Sequence, residues 1–229
     1  MSAIPTGLDH GPAARPRVVM IDDSTVIRGG FATVHPELDV VGAYPTVEDF
    51  EAGPVRCDVV LLDLLLRGPQ GAGAGIKQGR NAIRAIRNLD LPVCLYTDER
   101  RVLVLALCLR AGANGVVHKS DRPEAAVRAV REITQGQVAI TQSLIGLAEL
   151  LDRRGAGLEL SPRQRQVISA RARGRQWADI AATHFITEDT AREHYRAACA
   201  KLRRYLRDAS PGDLERSVGA APGDVFDQE

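Results

Sequence analysis

The sequence predicts an α/β protein: a doubly wound domain on a five-stranded parallel sheet, then a small all-α helix-turn-helix domain. Three observations carry this. Short β-branched runs alternate with helix-like segments through residues 16–138. Strand signals then stop, and only helical patterns follow. Lysine and arginine gather in the last third, although the whole chain carries a net charge of only +1.

The runs RVVMI (17–21), DVVGA (39–43), DVVLL (58–62), PVCLY (92–96) and GVVH (115–118) mostly lack polar alternation. Strands of that kind are buried on both faces, as in a parallel sheet covered by helices. Between and after them Ser24–Val34, Thr46–Ala52, Arg80–Asn88, Glu99–Ala111 and Arg122–Gln135 read as helices. Thr46 ahead of Glu48–Asp49, and Ser120 ahead of Pro123–Glu124, are helix-start signals. Five such units put a site at the C-terminal ends of the strands. The expected division is a flexible arm (1–15), the α/β domain (16–138), a helical linker (139–158), a helix-turn-helix domain (159–207) and an acidic, disordered tail (208–229).

Composition narrows the classes further. No apolar run approaches the ~18 residues of a membrane span. The N-terminus lacks the charged start and apolar centre of a secretion signal. Cys57, Cys94, Cys108 and Cys199 are scattered in a pattern that suits neither a disulfide framework nor a zinc site, and reads as buried thiols in a reducing cytoplasm. With so small a net charge, a nucleic-acid site must be local.

Asp22 and Asp23 end the first strand and Asp63 the third, and in a doubly wound sheet these strands are neighbours. Taken singly, Asp22 or Asp23 is more readily a cap for the helix starting near Ser24. Together, three converging carboxylates are unfavourable without a cation, and oxygen-only ligation suits Mg²⁺. Thr97 ends the fourth strand and Lys119 the fifth, where a hydroxyl and an ammonium can hold the oxygens of a phosphoryl group on Asp63. An aspartate is a competent nucleophile toward phosphoryl donors.

The segments RVVMIDDS, DVVLLDLLL, CLYTD and AGANGVVHKSD, in that order and spacing, resemble the marker segments of response-regulator receiver domains over residues 16–138. The resemblance implies that Asp63 is the phosphoacceptor, that Asp22 and Asp23 bind the metal with it, that Thr97 is the switch hydroxyl, and that Lys119 pairs with the phosphate. The chain departs from that pattern in three places. The usual early proline is displaced to Pro69, after Leu66–Arg67–Gly68. Val116 stands where an aromatic is usual. The loop after Asp63 is longer than usual. Its glycines do not fall as G-x-G-x-x-G and no G-K-[ST] follows, so it reads as a flexible insertion and not as a nucleotide cradle.

Val102–Leu109 is apolar without interruption, which leaves a helix there no polar face for two turns. An oligomer interface is expected on it, at Leu103 and Leu107.

In the helical segment Ser161–Pro162 is a cap followed by a first-turn proline, Gly174 closes that helix, and Gln176–Thr183, a turn at Phe185, and a helix capped by Thr187 form a helix-turn-helix. Lys and Arg outnumber Asp and Glu by more than two to one between Arg153 and Arg207, a charge balance that attracts phosphate backbone. LSPRQRQVISARARG…DIAATHFITEDTAREHYRAACAKL is similar to the LuxR-type helix-turn-helix of the NarL/FixJ family. The resemblance implies that the helix from Glu188 enters the major groove of double-stranded DNA, with Arg192, Glu193 and Arg196 at base edges and Thr190, Lys201 and Arg175 on the backbone.

The expectation is therefore a cytoplasmic, homodimeric, DNA-binding transcriptional regulator. Its control would be Mg²⁺-dependent phosphorylation of Asp63 by a histidine kinase or a small phosphodonor. The alternative is an atypical regulator that works without phosphate, its receiver serving as a dimerisation or ligand module. A Mg²⁺-dependent phosphohydrolase is disfavoured, because no second acid/base is evident and the helix-turn-helix would be left unexplained.

Overall fold

The computed structural model describes residues 15–66 and 76–220. Its elements run β1 (Arg17–Ile21), α1 (Thr25–Val34), β2 (Asp39–Tyr44), α2 (Val47–Ala52), β3 (Val59–Leu62), α3 (Ile76–Asn88), β4 (Val93–Thr97), α4 (Val102–Ala111) and β5 (Gly115–His118). Helices α5 (Pro123–Thr134), α6 (Gln142–Arg153), α7 (Pro162–Ala172), α8 (Trp177–His184), α9 (Glu188–Asp208) and α10 (Pro211–Val218) follow. The described residues fall into two compact units, one within 1–99 and 111–139, the other within 100–110 and 140–229.

In the first unit the sheet is wholly parallel, in the order β2-β1-β3-β4-β5. That order reverses direction at β1, which puts the C-terminal ends of β1 and β3 beside the crevice where such sheets bind ligands. The strands alternate between two apolar layers. Val18, Met20, Val59, Leu61, Cys94 and Val117 pack with Phe31 of α1 and with Ala126, Val130 and Ile133 of α5. By the two-residue period Val19, Ile21, Val60 and Leu62 face the other way. There α2 and α3 supply the fully buried Phe50, Ile83 and Ile86. Each such side chain contributes roughly 1.5–3 kcal/mol by leaving water. Short polar caps set where helices begin: the hydroxyl of Ser24 accepts from the amide of Ile27, and that of Thr46 from the amide of Asp49.

Several boundaries differ from the sequence expectation. Helix α3 starts at Ile76, ahead of Arg80. It passes so close to Leu64 that a side chain at Gly79 would collide with it. The inserted stretch 67–75, the arm before residue 15 and residues 221–229 lie outside the described residues.

In the second unit α6 is no mere linker. Its Glu149 accepts hydrogen bonds from Ser169 (2.8 Å) and Arg173 (3.2 Å), and Leu144, Ile145, Leu147, Ala148 and Leu151 are buried. The expected disordered tail is corrected in part, since residues 211–218 form α10. Ser210 and Asp213 make a reciprocal capping box, Pro211 takes the first turn and Leu214 is buried. The start signals were present in the sequence, and acidity was the misleading cue.

The expected oligomer face on α4 is also corrected. Residues 100–110 belong to the second unit, Val104–Leu109 are buried, and Leu107 is only 3% exposed. Arg110 Nε donates to the carbonyl of Ala209 at 2.8 Å. The apolar run is satisfied within the chain, so Leu107 offers no surface to a second copy. Leu103 is half-buried. Among the described residues no helix is long and apolar enough to cross a membrane.

Candidate functional site

Two sets of residues carry chemistry, one in each unit. The first lies at the strand ends of the sheet. Because β1 pairs with β3, Asp22 and Asp63 emerge side by side, and the amide of Asp63 donates to the carbonyl of Ile21 at 2.8 Å. Oxygens of Asp22, Asp23 and Asp63 lie within 4.8 Å of one another. Asp22 is fully buried and Asp63 is 5% exposed. Lys119, just past β5, reaches both: its Nζ is 2.7 Å from Asp22 Oδ2 and 2.9 Å from Asp63 Oδ2.

The electrostatics follow from burial. Desolvation raises the Asp22 pKa from its ordinary value, and Lys119 and the amide of Ser24 oppose this only in part. Burial also works against the charge on Lys119, but its hydrogen bonds to Asp22 and Asp63 outweigh it, so its pKa lies above the usual value. Asp22 and Asp63 share the one ammonium of Lys119, and the oxygens of Asp23 lie beside them. Their oxygen-only donor set is what Mg²⁺ selects, so the residues fit that ion.

Backbone and neighbouring side chains fix the positions. Asp22 Oδ1 accepts from the amide of Ser24 (2.8 Å), and Arg28 of α1 donates to the Asp22 carbonyl (2.5 Å). Asp63 Oδ1 accepts from the amide of Leu65 at 3.3 Å. Thr97 is fully buried at the end of β4, its Oγ1 accepting from the amide of Glu99, which leaves its hydroxyl proton for another acceptor. The carbonyl of Thr97 receives the amide of Lys119 at 3.0 Å, tying the fourth and fifth strand ends together. Val116 lies buried within β5. Sequence reasoning missed Arg28, whose signal is only its place one turn into a helix that starts behind the carboxylates. None of the four cysteines is in a disulfide, and burial pushes Cys57 and Cys94 up to about 12, too high for a nucleophilic role.

The second set lies on the helix-turn-helix. Helix α8 ends at Phe185 in the left-handed region (φ 54°), and Thr187 starts α9 by accepting from the amide of Thr190. Val167, Ala170, Ile180 and Ala191 are its core, with Trp177, Ile186 and Tyr195 packed against them. Glu193 and Arg196 are exposed on α9, whereas Arg192 is half-buried. Arg192 Nη2 donates to Glu188 at 2.7 Å, and its guanidinium carbon lies 5.4 Å from the centre of the Trp177 ring. Thr190 is tied to the Thr187 cap through its hydroxyl (2.8 Å). Arg175 is exposed, 3.5 Å from the hydroxyl of Thr183. Lys201 stands apart from the others. Its ammonium donates to the Glu159 carbonyl at 2.5 Å, in a cleft of about 950 Å³ also lined by Arg154, Arg204 and Arg216. Glu159, Asp208 and Asp213 share that cleft, so its positive charge is largely offset.

No protein-family model matches the chain. A nitrate/nitrite response regulator protein homolog of Haemophilus influenzae is 27% identical over 207 residues, spanning 85% of this chain and 93% of that protein. The probable transcriptional regulatory protein NarL of Mycobacterium tuberculosis is 28% identical over 213 residues, 87% of this chain and 94% of that one. Among solved structures, RcsB as two dimers bound to two parallel DNAs matches with a TM-score of 0.52 at 20% identity, covering 85% of this chain and 97% of that one. RcsB of Salmonella enterica serovar Typhimurium, bound to promoter P1flhDC, matches with a TM-score of 0.51 at 20% identity, over 90% and 100% of the two chains. At that identity the structural likeness shows the fold.

Proposed function

We propose that the chain, which is similar through both units to response regulators of the NarL type, is a DNA-binding transcription regulator of that kind, switched by phosphorylation of Asp63. The observation that carries this reading is the Lys119 bridge between Asp22 and Asp63 at the strand ends, in a chain whose similarity to other regulators runs through both units.

The chemistry follows from the side chains. An oxygen of Asp63 attacks the phosphorus of a histidine kinase's phosphohistidine, or of a small acyl phosphate. The bond from phosphorus to the donor breaks, and its electron pair leaves with the donor. Asp22, Asp23 and Asp63 would hold Mg²⁺, which supplies positive charge against the transferring oxygens. Lys119, already 2.9 Å from Asp63, exchanges the carboxylate oxygen for a phosphoryl oxygen. The Thr97 hydroxyl donates its free proton to another phosphoryl oxygen. Charge placed in advance, at a site with little water, lowers the barrier without reorganisation.

In the helical unit α9 lies in the major groove, where Glu193, Arg196 and Arg192 read base edges. Thr190, Arg175 and Lys201 hold the backbone, Lys201 by releasing the Glu159 carbonyl. Phosphorylation favours a homodimer on two half-sites, in the cytoplasm, where the free thiols stay reduced.

Incubation with acetyl phosphate and Mg²⁺, followed by intact mass measurement, tests the switch. The expected result is the gain of one phosphoryl group by the wild-type chain and none by Asp63→Asn. No gain by the wild type, with duplex binding retained, overturns phosphorylation control and favours a regulator that works without phosphate.

A further inference from the structure

Trp177 is the first residue of α8, half-buried, with its ring against the small core of the helix-turn-helix. Two guanidinium groups approach that ring, Arg171 at 4.5 Å and Arg192 at 5.4 Å from its centre. Tyr195, one turn beyond Arg192 on α9, meets it edge-on at 5.3 Å and 78°. Arg192 is also held by Glu188 at 2.7 Å, four residues earlier on the same helix, and lies 3.5 Å from Asp189. Only 35% of its side chain is exposed.

We propose that Trp177 is a positioning residue for base recognition: with Glu188 it fixes Arg192 in one orientation, so that preference at a single base pair depends on a residue that does not itself touch the base. The inference rests on the DNA-binding reading above. Its physical basis is the cost of ordering. A free arginine loses rotamer freedom when it is immobilised on binding. An arginine ordered before DNA arrives has already lost that freedom, so more of each base contact appears as selectivity. Stacking uses the face of the guanidinium and leaves its edges for hydrogen bonds. The group has five N–H donors and its short bond to Glu188 takes one, so enough remain for a bidentate contact. Glu188 lies N-terminal to Arg192 at four residues' spacing, the favourable order for such a pair.

The test selects bound sites from a pool of randomised DNA duplexes, using the full chain as wild type, Arg192→Ala, Trp177→Leu and the double variant. Leucine keeps an apolar body against the core and removes the ring face. Arg192→Ala is expected to lose preference at one base pair by about tenfold. Trp177→Leu is expected to lose a large part of the preference at that same base pair, keep it elsewhere, and leave the salt dependence of binding unchanged. The double variant is expected to match Arg192→Ala. Nuclear magnetic resonance of the free protein gives a second readout: the Arg192 Nε–H is ordered in the wild type and mobile in Trp177→Leu.

Trp177→Leu with full preference at that base pair overturns the inference. So does a uniform loss at every position that adds to the loss from Arg192→Ala. Should Trp177→Leu fail to fold, Trp177→Met carries the test with a longer apolar side chain and no ring, and an unchanged preference overturns the inference. A wild-type chain that enriches no duplex overturns the DNA-binding reading and this inference with it. Enrichment by the wild type with no change in the Trp177 variants overturns this inference alone.

Discussion

Lys119 has two carboxylates and one positive charge to share between them, and that imbalance marks the proposed phosphorylation site. Its ammonium lies 2.7 Å from Asp22 and 2.9 Å from Asp63. Lys119→Ala removes the fixed cation beside the attacking oxygen. Labelling of Asp63 by acetyl phosphate is expected to slow on the order of a hundredfold, as when one preorganised donor to a developing charge is lost. Stopped aliquots weighed intact give the rate, and an unchanged rate would remove Lys119 from the transfer step. His35 makes a different demand. It is 2% exposed, packed against Phe31 (4.2 Å) and Tyr96 (6.2 Å), and burial lowers its pKa below 6.5, with Glu37, the backbone of Pro123 and Glu124 opposing. The folded chain keeps His35 neutral where the unfolded chain protonates it. Its contribution to stability is therefore complete above pH 6.5 and is lost as the pH falls from there toward the lowered value. His35→Phe is expected to flatten that part of the stability curve, measured as urea midpoints against pH. An equally steep fall in the variant would assign the effect to other groups.

At the scale of elements, burial was easier to read than what does the burying. The five apolar runs gave the strands because β-branched residues without polar alternation suit a sheet covered on both faces. The order of Asp22, Asp63, Thr97 and Lys119 then followed from strand ends, since each sits one or two residues past an apolar run. Helix α4 had the same clear signal, eight apolar residues in a row, yet the sequence cannot say which chain covers them. The structure buries Val104–Leu109 within the chain, so Leu107→Glu is now expected to destabilise the fold and not to separate a dimer. Placing a carboxylate where Leu107 is 3% exposed should cost about 3 kcal/mol or more. A lowered denaturant midpoint at unchanged solution mass is the expected result, and a normal midpoint with halved mass would restore the interface. The Trp177–Arg192 pair was illegible for another reason. It joins two helices across a turn, and no helical spacing announces a contact of that kind.

At the scale of the whole molecule, a net charge of +1 conceals a sharp division of labour. Carboxylates collect at one end of the sheet, and arginines collect in the helical unit. On the proposed function the acidic site would attract a cation and a phosphoryl group and the basic unit a polyanion, and a chain of either sign throughout would serve one task poorly. A single helix-turn-helix reads only a few base pairs, and Glu193 together with Asp189 thins the positive charge along α9, so one copy should bind duplex weakly. Two copies on two half-sites multiply selectivity without strengthening any one contact. On the proposed function, dimerisation is thus the step through which phosphorylation would act most strongly on DNA binding. The expected signature is geometric. Once the selected site is known, binding of the phosphorylated chain should be cooperative when half-sites lie about one helical turn apart. Inserting half a turn, about 5 base pairs, puts the second half-site on the opposite side of the duplex and should abolish cooperativity. Gel-shift titrations with and without acetyl phosphate measure this directly. Equal cooperativity at both spacings, or cooperativity that ignores phosphate, would mean that the copies meet through something other than the phosphorylated state.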